Sequence, residues 1–220
     1  MIRGAIFDLD GTLLDSNPYW NKAPGAYLET LGREARPGLA KTLFTMTLTE
    51  AADYMSREYA LTVSPEEIMA GVNAAMEGFY LRDVPLRAGV PALLRGLEER
   101  GIPCAVASVT DKPLVETALR RFGLLDCFSA VVTAAEVGVG KQEPDVYLQA
   151  AERIGAAPTE TLVFEDALHA LRTAKRAGFC TVGVRDDASQ DQQEEIRAVS
   201  ALYLEDFSDL SGLWAAVGKE

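Results

Sequence analysis

The chain has 220 residues, 48% of them hydrophobic, which suits one α/β domain or a domain with a modest insertion and is too apolar-poor for a membrane protein. A formal net charge of −12 argues against a nucleic-acid partner, because phosphate backbones demand clustered Lys and Arg. Cys104, Cys127 and Cys180 show no CxxC spacing and read as small buried residues in a reducing compartment, while a single histidine excludes any mechanism built on a His cluster.

No stretch approaches the about 18 consecutive apolar residues of a spanning helix, so no membrane contact is expected. The short run from Ile2 to Phe7 leads straight into acids rather than into a signal-peptide pattern, and a cytoplasmic location is expected. That run reads as a first strand, and it ends in Phe7-Asp8-Leu9-Asp10-Gly11-Thr12-Leu13. Residues two apart on a strand share a face, and a glycine directly afterwards lets the chain leave sharply. Asp8 and Asp10 are therefore presented at the carboxyl end of a strand, where open α/β sheets bind ligands. The tripeptide alone suits a solvated turn equally well; the rest of the chain decides.

Residues 16–83 contain no convincing strand. They read as helices over 18–31, 38–45, 49–59 and 65–81, the last opened by a Ser64-Pro65-Glu66-Glu67 capping box with Pro at the first helical position. Beyond them, short apolar runs at 102–108, 130–133, 161–164 and 181–184 join 5–7 as buried parallel strands. Helical stretches at 89–100, 112–122, 144–154, 167–177 and 190–199 separate them, with Asp111 and Pro113 marking one helix start and Pro144 another. Alternating strands and helices imply a doubly wound parallel sheet. The expected organisation is a core of residues 1–15 and 84–220, with a helical insertion of residues 16–83 placed as a lid near the acids. Residues 206–220 read as a final amphipathic helix.

Three further positions fall at predicted strand ends or just beyond them. Ser108 closes one strand, and its hydroxyl with the free N–H groups of Val109 and its neighbours forms a natural phosphate cradle, although a plain capping role fits as well. Lys141, in Gly138-Val-Gly140-Lys141, resembles a phosphate lysine without being a P-loop, since Ala135 and Gln142 stand where that motif needs Gly and Ser or Thr. Glu165 and Asp166 end another strand, and acids clustered there with Asp8 and Asp10 are costly unless a cation neutralises them.

Asp8-Leu9-Asp10-Gly11-Thr12, Ser108, Lys141 and Phe164-Glu165-Asp166 resemble the four ordered motifs of the haloacid dehalogenase superfamily, and the inserted helices resemble its C1 cap. The match runs from Met1 to about Val184, and the Glu165-Asp166…Ala177-Gly178 pattern is most similar to the β-phosphoglucomutase and phosphonatase branch. The resemblance implies a Rossmann-like core with a helical cap, and it assigns roles. Asp8 attacks phosphorus. Asp10 is the general acid and base. Ser108, Val109 and Lys141 bind the transferring phosphoryl group. Mg²⁺ is implied on the Asp8 carboxylate, the Asp10 main-chain carbonyl and Asp166, with Glu165 as a ligand or just behind one.

Within the superfamily, Asp10 argues against carbon–halogen chemistry. A phosphonatase carries a small residue there and a Schiff-base lysine, whereas the only insertion lysines are Lys22 and Lys41. A sugar phosphomutase would need a histidine and a basic residue in the cap, but Asp15-Ser-Asn-Pro-Tyr19-Trp20 and the stretch from Phe44 to Thr49 supply neither. The expected activity is thus a phosphatase on a small phosphorylated metabolite, with the mutase as runner-up and a non-catalytic binding module as the third class. Tyr19, Trp20 and Met46 are candidates for the substrate pocket, though packing explains them equally well. His169 is read as a solvated helix position, and a monomer or weak homodimer is expected.

Overall fold

The computed structural model describes residues 1–43, 46 and 48–218. Strands β1 (Gly4–Phe7), β2 (Cys104–Ser108), β3 (Ala130–Thr133), β4 (Thr161–Glu165), β5 (Cys180–Val184) and β6 (Leu202–Leu204) form one sheet, ordered β3-β2-β1-β4-β5-β6. Every neighbouring pair is parallel. Parallel pairing requires crossovers. Helices α1 (Asn17–Trp20), α2 (Ala23–Thr30), α3 (Leu39–Leu43), α4 (Leu48–Glu58), α5 (Pro65–Arg82) and α6 (Val90–Glu98) lie between β1 and β2. Then α7 (Lys112–Arg121) precedes β3, α8 (Ala134–Val137) and α9 (Asp145–Arg153) precede β4, and α10 (Leu168–Arg176) precedes β5. Finally α11 (Gln193–Val199) precedes β6 and α12 (Ser211–Val217) follows it.

The inner strands read as unbroken apolar runs because helices cover both faces of the sheet. Side chains still alternate. Ile6 and Val163 join a buried cluster with Val132, Tyr147, Ala150 and Ala170. Their chain neighbours Phe7 and Phe164, paired in register, turn to the other face and stack with centroids 4.4 Å apart. Each fully buried side chain of this size contributes roughly 1.5–3 kcal/mol.

The chain divides into two compact units, Met1–Asp15 with Pro85–Glu220, and Ser16–Val84. In the helical unit, α5 starts on the capping box: Glu67 N donates to Ser64 Oγ at 3.2 Å, and Ser64 N to Glu67 Oε2 at 2.8 Å. α5 packs against α2 and α4. The α2 contact is close because Gly71 has no side chain; a Cβ there would lie 2.0 Å from the Tyr27 ring. No helix among the described residues is long and apolar enough to cross a membrane.

The structure differs from the sequence reading at several places: α8 has no counterpart among the expected helices, and residues 190–192 of the helix expected over 190–199 are a 3₁₀ turn. The helix expected over 18–31 breaks into α1 and α2, because Pro24 has no N–H to carry the hydrogen-bond ladder back to Trp20 O and instead sits in the first turn of a new helix. Val84 belongs to the helical unit; its N–H closes back on Phe79 O at 3.0 Å and its side chain is buried. β6 was not expected, since Leu202-Tyr203-Leu204 is an apolar run of three residues on a partly exposed sheet edge, too short to read as a strand. The terminal helix is confined to α12, because Asp206 and Asp209 accept Ser208 N (2.8 Å) and Ser211 N (2.9 Å) in tight turns that compete with helix. Within the expected 38–45 and 206–220 helices, Phe44, Thr45, Lys219 and Glu220 lie outside the described residues, as does Thr47 of the cap stretch.

Candidate active site

β1 pairs with β2 on one side and with β4 on the other, so chain direction across the sheet reverses at β1. That is the switch point at which an open parallel sheet leaves a crevice beyond its carboxyl ends. Asp8 follows β1 directly, and its N–H donates to Phe164 O at 3.0 Å, so the pairing with β4 extends to the acid. The chain then turns tightly. Gly11 takes a φ of 82°, a left-handed conformation that favours glycine, and its N–H donates to Leu14 O at 2.8 Å. Leu13 and Leu14 N–H both return to Leu9 O at 3.0 Å. This turn aims Asp8 and Asp10 out of the sheet end.

Lys141 comes from the loop between α8 and α9, and its side chain is 5% exposed. Its Nζ donates to Asp8 Oδ1 and, at 2.5 Å, to Glu165 Oε1 at the end of β4. The Tyr147 hydroxyl on α9 donates to the same Glu165 oxygen at 2.6 Å. Asp166 receives Thr12 Oγ1 at 3.5 Å. At the end of β2, Ser108 Oγ accepts Thr110 N at 3.0 Å, and Thr110 Oγ1 donates to Asp10 Oδ2 at 2.7 Å. The loop after β2 is thereby tied to the second acid.

Carboxylate oxygens of Asp8, Glu165 and Asp166 all lie within 4.8 Å of one another, and all three residues are buried. One ammonium cannot balance three carboxylates. Burial, then the charges of Glu165, Asp166 and Asp10, push the Asp8 carboxyl well up, against the pull of Lys141. Burial, then Glu165 and Asp186, push Asp166 up to about 8. Lys141 moves upward: burial opposes its charge, but Asp8 and Glu165 outweigh that and keep it cationic. Three hard oxygen donors carrying surplus negative charge fit a divalent cation such as Mg²⁺.

These shifts predict a pH signature. A folded-state carboxyl raised above its ordinary 3.8 binds more protons than the unfolded chain, so its ionisation destabilises the fold as pH rises toward about 8. A cation removes that penalty. The gap between the melting temperatures of Mg²⁺-loaded and chelator-treated protein is therefore expected to widen from pH 5 to pH 8. A gap that stays constant or narrows in thermal melts would overturn this account of the acids.

Of the residues singled out in the sequence, Asp8, Lys141, Glu165 and Asp166 meet directly, while Asp10 and Ser108 are joined to one another through Thr110. Val109 is 58% exposed, beside Ser108. His169 is exposed on α10. The other candidates belong to the helical unit and do not converge. Tyr19 donates to Asp83 O at 3.0 Å and packs on Phe79, and Trp20 donates to Tyr80 OH at 3.2 Å. Met46 instead lines a cavity of about 310 Å³ with Glu50, Asp53, Tyr54 and Arg57. Thr110 and Tyr147 were missed. Thr110 stands two residues beyond Ser108, a spacing that hints at a shared role, but nothing in the sequence marks Tyr147.

Comparison with known proteins agrees with this geometry. The family model described as haloacid dehalogenase-like hydrolase matches residues 2–178. Hexitol phosphatase A of Escherichia coli (strain K12) is 30% identical over 197 residues, covering 90% of this chain and 89% of that protein. Validoxylamine A 7'-phosphate phosphatase of Streptomyces hygroscopicus subsp. limoneus is 29% identical over 223 residues, covering 99% of each. The crystal structure of CbbY from Rhodobacter sphaeroides in complex with phosphate superposes with a TM-score of 0.82 at 25% identity, over 96% of this chain and 97% of that one. With the sheet order, the acid-lined switch point and a family match over most of its length, the chain belongs to the haloacid dehalogenase-like hydrolases.

Proposed function

We propose that this hydrolase is a Mg²⁺-dependent phosphatase that cleaves a small phosphorylated metabolite, a sugar phosphate or a near relative, through an aspartyl-phosphate intermediate. The observation that carries the reading is the buried cluster of Asp8, Lys141, Glu165 and Asp166 at the switch point. Two of its relatives, a hexitol phosphatase and a validoxylamine A 7'-phosphate phosphatase, support the substrate class.

Each residue's part follows from its bonds. The Asp8 carboxylate attacks phosphorus as the bond to the leaving oxygen breaks, and Asp10 supplies the proton that oxygen takes. Asp10 then accepts a proton from the water that attacks the aspartyl-phosphate, which releases phosphate and restores Asp8. Thr110 holds the Asp10 carboxylate in place through both steps. Lys141 spends two of its three N–H donors on Asp8 and Glu165, leaving the third for a phosphoryl oxygen. Ser108 Oγ accepts from Thr110 N, so its own proton is free to donate to the phosphoryl group beside the Val109 N–H. Asp8, Asp166 and the Asp10 carbonyl would hold Mg²⁺, with Glu165 beside them, and the ion when bound would offset the repulsion between these acids and an anionic substrate. Glu165, carrying both Lys141 and Tyr147 on one oxygen, serves first as the anchor of the lysine.

A panel of sugar phosphates and p-nitrophenyl phosphate, assayed with Mg²⁺ and with chelator, tests the reading. Release of inorganic phosphate that depends on Mg²⁺ is expected. Conversion of a hexose 1-phosphate, with its bisphosphate, into the 6-phosphate without phosphate release would move the assignment to a mutase.

A further inference from the structure

Asp186 has entered so far only through its charge on Asp166, yet it is a carboxylate with a side chain only 3% exposed. It stands two residues past β5, the strand beside β4, and so at the same end of the sheet as Asp166. Its bonds define what it does. Arg87 donates through Nη2 to Asp186 Oδ2 and through Nη1 to Arg185 O at 2.7 Å. The other oxygen, Oδ1, accepts Ala188 N at 2.8 Å and so fixes the start of the short 3₁₀ turn Asp187–Gln192.

Ser189 lies in that turn, and its hydroxyl stands 3.0 Å from Asp166 O. The direction of this bond is set from behind. The Tyr203 hydroxyl donates to Gln193 Oε1 at 2.6 Å, which turns Gln193 Nε2 toward Ser189 Oγ at 3.0 Å. Since Ser189 Oγ accepts there, its one proton is left for the two main-chain carbonyls it faces, Asp166 O at 3.0 Å and Asp186 O at 3.2 Å, and so bridges the two segments. The same Nε2 lies 3.1 Å from Asp186 O, which closes the network on itself. The Asp166 main chain sits in a non-helical link between β4 and α10, and the bond from Ser189 restrains it there.

We propose that Asp186, neutralised by Arg87 and acting through Ser189, is a positioning residue for Asp166: it fixes the main chain from which that carboxylate meets the cation. The inference rests on the metal-dependent reading above. A carboxylate suits this point because a charged acceptor paired with an arginine makes stronger bonds to the turn than a neutral side chain would. Outer partners of a metal ligand orient it and tune its affinity without touching the ion.

The decisive variant is Ser189→Ala, which removes only the hydroxyl between the turn and Asp166, at a half-buried site tolerant of the change. Mg²⁺ binding measured by calorimetry on the full chain is expected to weaken about tenfold, whereas Ser189→Thr, which keeps the hydroxyl, stays within roughly threefold of the wild type. At saturating Mg²⁺ the turnover number of Ser189→Ala returns to within about twofold, because the reacting groups themselves are untouched. Asp186→Asn is expected to weaken binding at least as much; should it fail to fold, Ser189→Ala alone decides. Wild-type affinity in Ser189→Ala would overturn the inference, and so would a turnover number that saturating Mg²⁺ does not restore. Ser189→Thr as weak as Ser189→Ala would also overturn it, since the hydroxyl would then not be the operative group. A wild-type protein that takes up no Mg²⁺ would instead sink the metal reading, and this inference with it.

Discussion

Asp8→Asn is expected to lose phosphatase activity by a factor of about 10⁴ or more, equivalent to about 5 kcal/mol of transition-state stabilisation, while remaining folded. The amide matches the carboxylate in shape and still offers Lys141 an oxygen, so the cluster keeps its packing. It lacks the anionic oxygen that attacks phosphorus. The change also deletes one of three buried acids facing a single ammonium. Because burial and three neighbouring acids disfavour the charge on Asp8, the metal-free variant is expected to melt no lower than the wild type. The two readouts separate loss of the nucleophile from loss of the fold. Turnover of p-nitrophenyl phosphate within tenfold of the wild type would sink the assignment of Asp8.

Lys141→Met carries the second large effect, and here stability falls as well. The substitution keeps an apolar stem of similar length but strips the counter-charge from Asp8 and Glu165, both buried. Breaking a buried ion pair from one side costs about 3–5 kcal/mol, because the remaining charge is left unpaired in a poor dielectric. The pH dependence follows. Without Lys141 the raised carboxyl of Asp8 rises further, so the native state holds protons the unfolded chain has already lost. The defect is therefore largest near pH 8 and shrinks as the pH falls toward 5. Mg²⁺ is expected to repair part of it, and activity at saturating Mg²⁺ is expected to stay down by about 10²–10³-fold for want of a phosphoryl donor. Urea melts at both pH values, with and without Mg²⁺, provide the check. A variant as stable as the wild type at pH 8 would show that Lys141 is not the counter-charge of this cluster.

The acids and Ser108 were legible in the sequence for a local reason. Asp8, Ser108, Glu165 and Asp166 each end or follow a short apolar run, and parallel strands put those ends on one side of a sheet. Lys141 was legible through its flanking glycines and the helix after it. Thr110, Tyr147 and the Arg87–Asp186 pair were not. Thr110 reaches Asp10 across 100 positions, and Arg87 reaches Asp186 across 99. Tyr147 lies on a helix face whose pattern also suits an ordinary core aromatic. The misjudged elements turned on local details. A proline split one expected helix, two aspartate turns shortened another, and an edge strand of three residues carried too little apolar surface to show.

Local chemistry dictated the strand runs, the helix starts and the identity of the groups able to attack, protonate or hold a phosphoryl group. Those features depend on a residue and its near neighbours, where side-chain period and backbone sterics act. Tertiary packing chose the partners: which oxygen Lys141 shares, what steadies Asp10, and what holds the main chain of Asp166. Such choices rest on bonds between segments far apart in the chain. They are settled only when burial leaves each polar group no solvent to turn to.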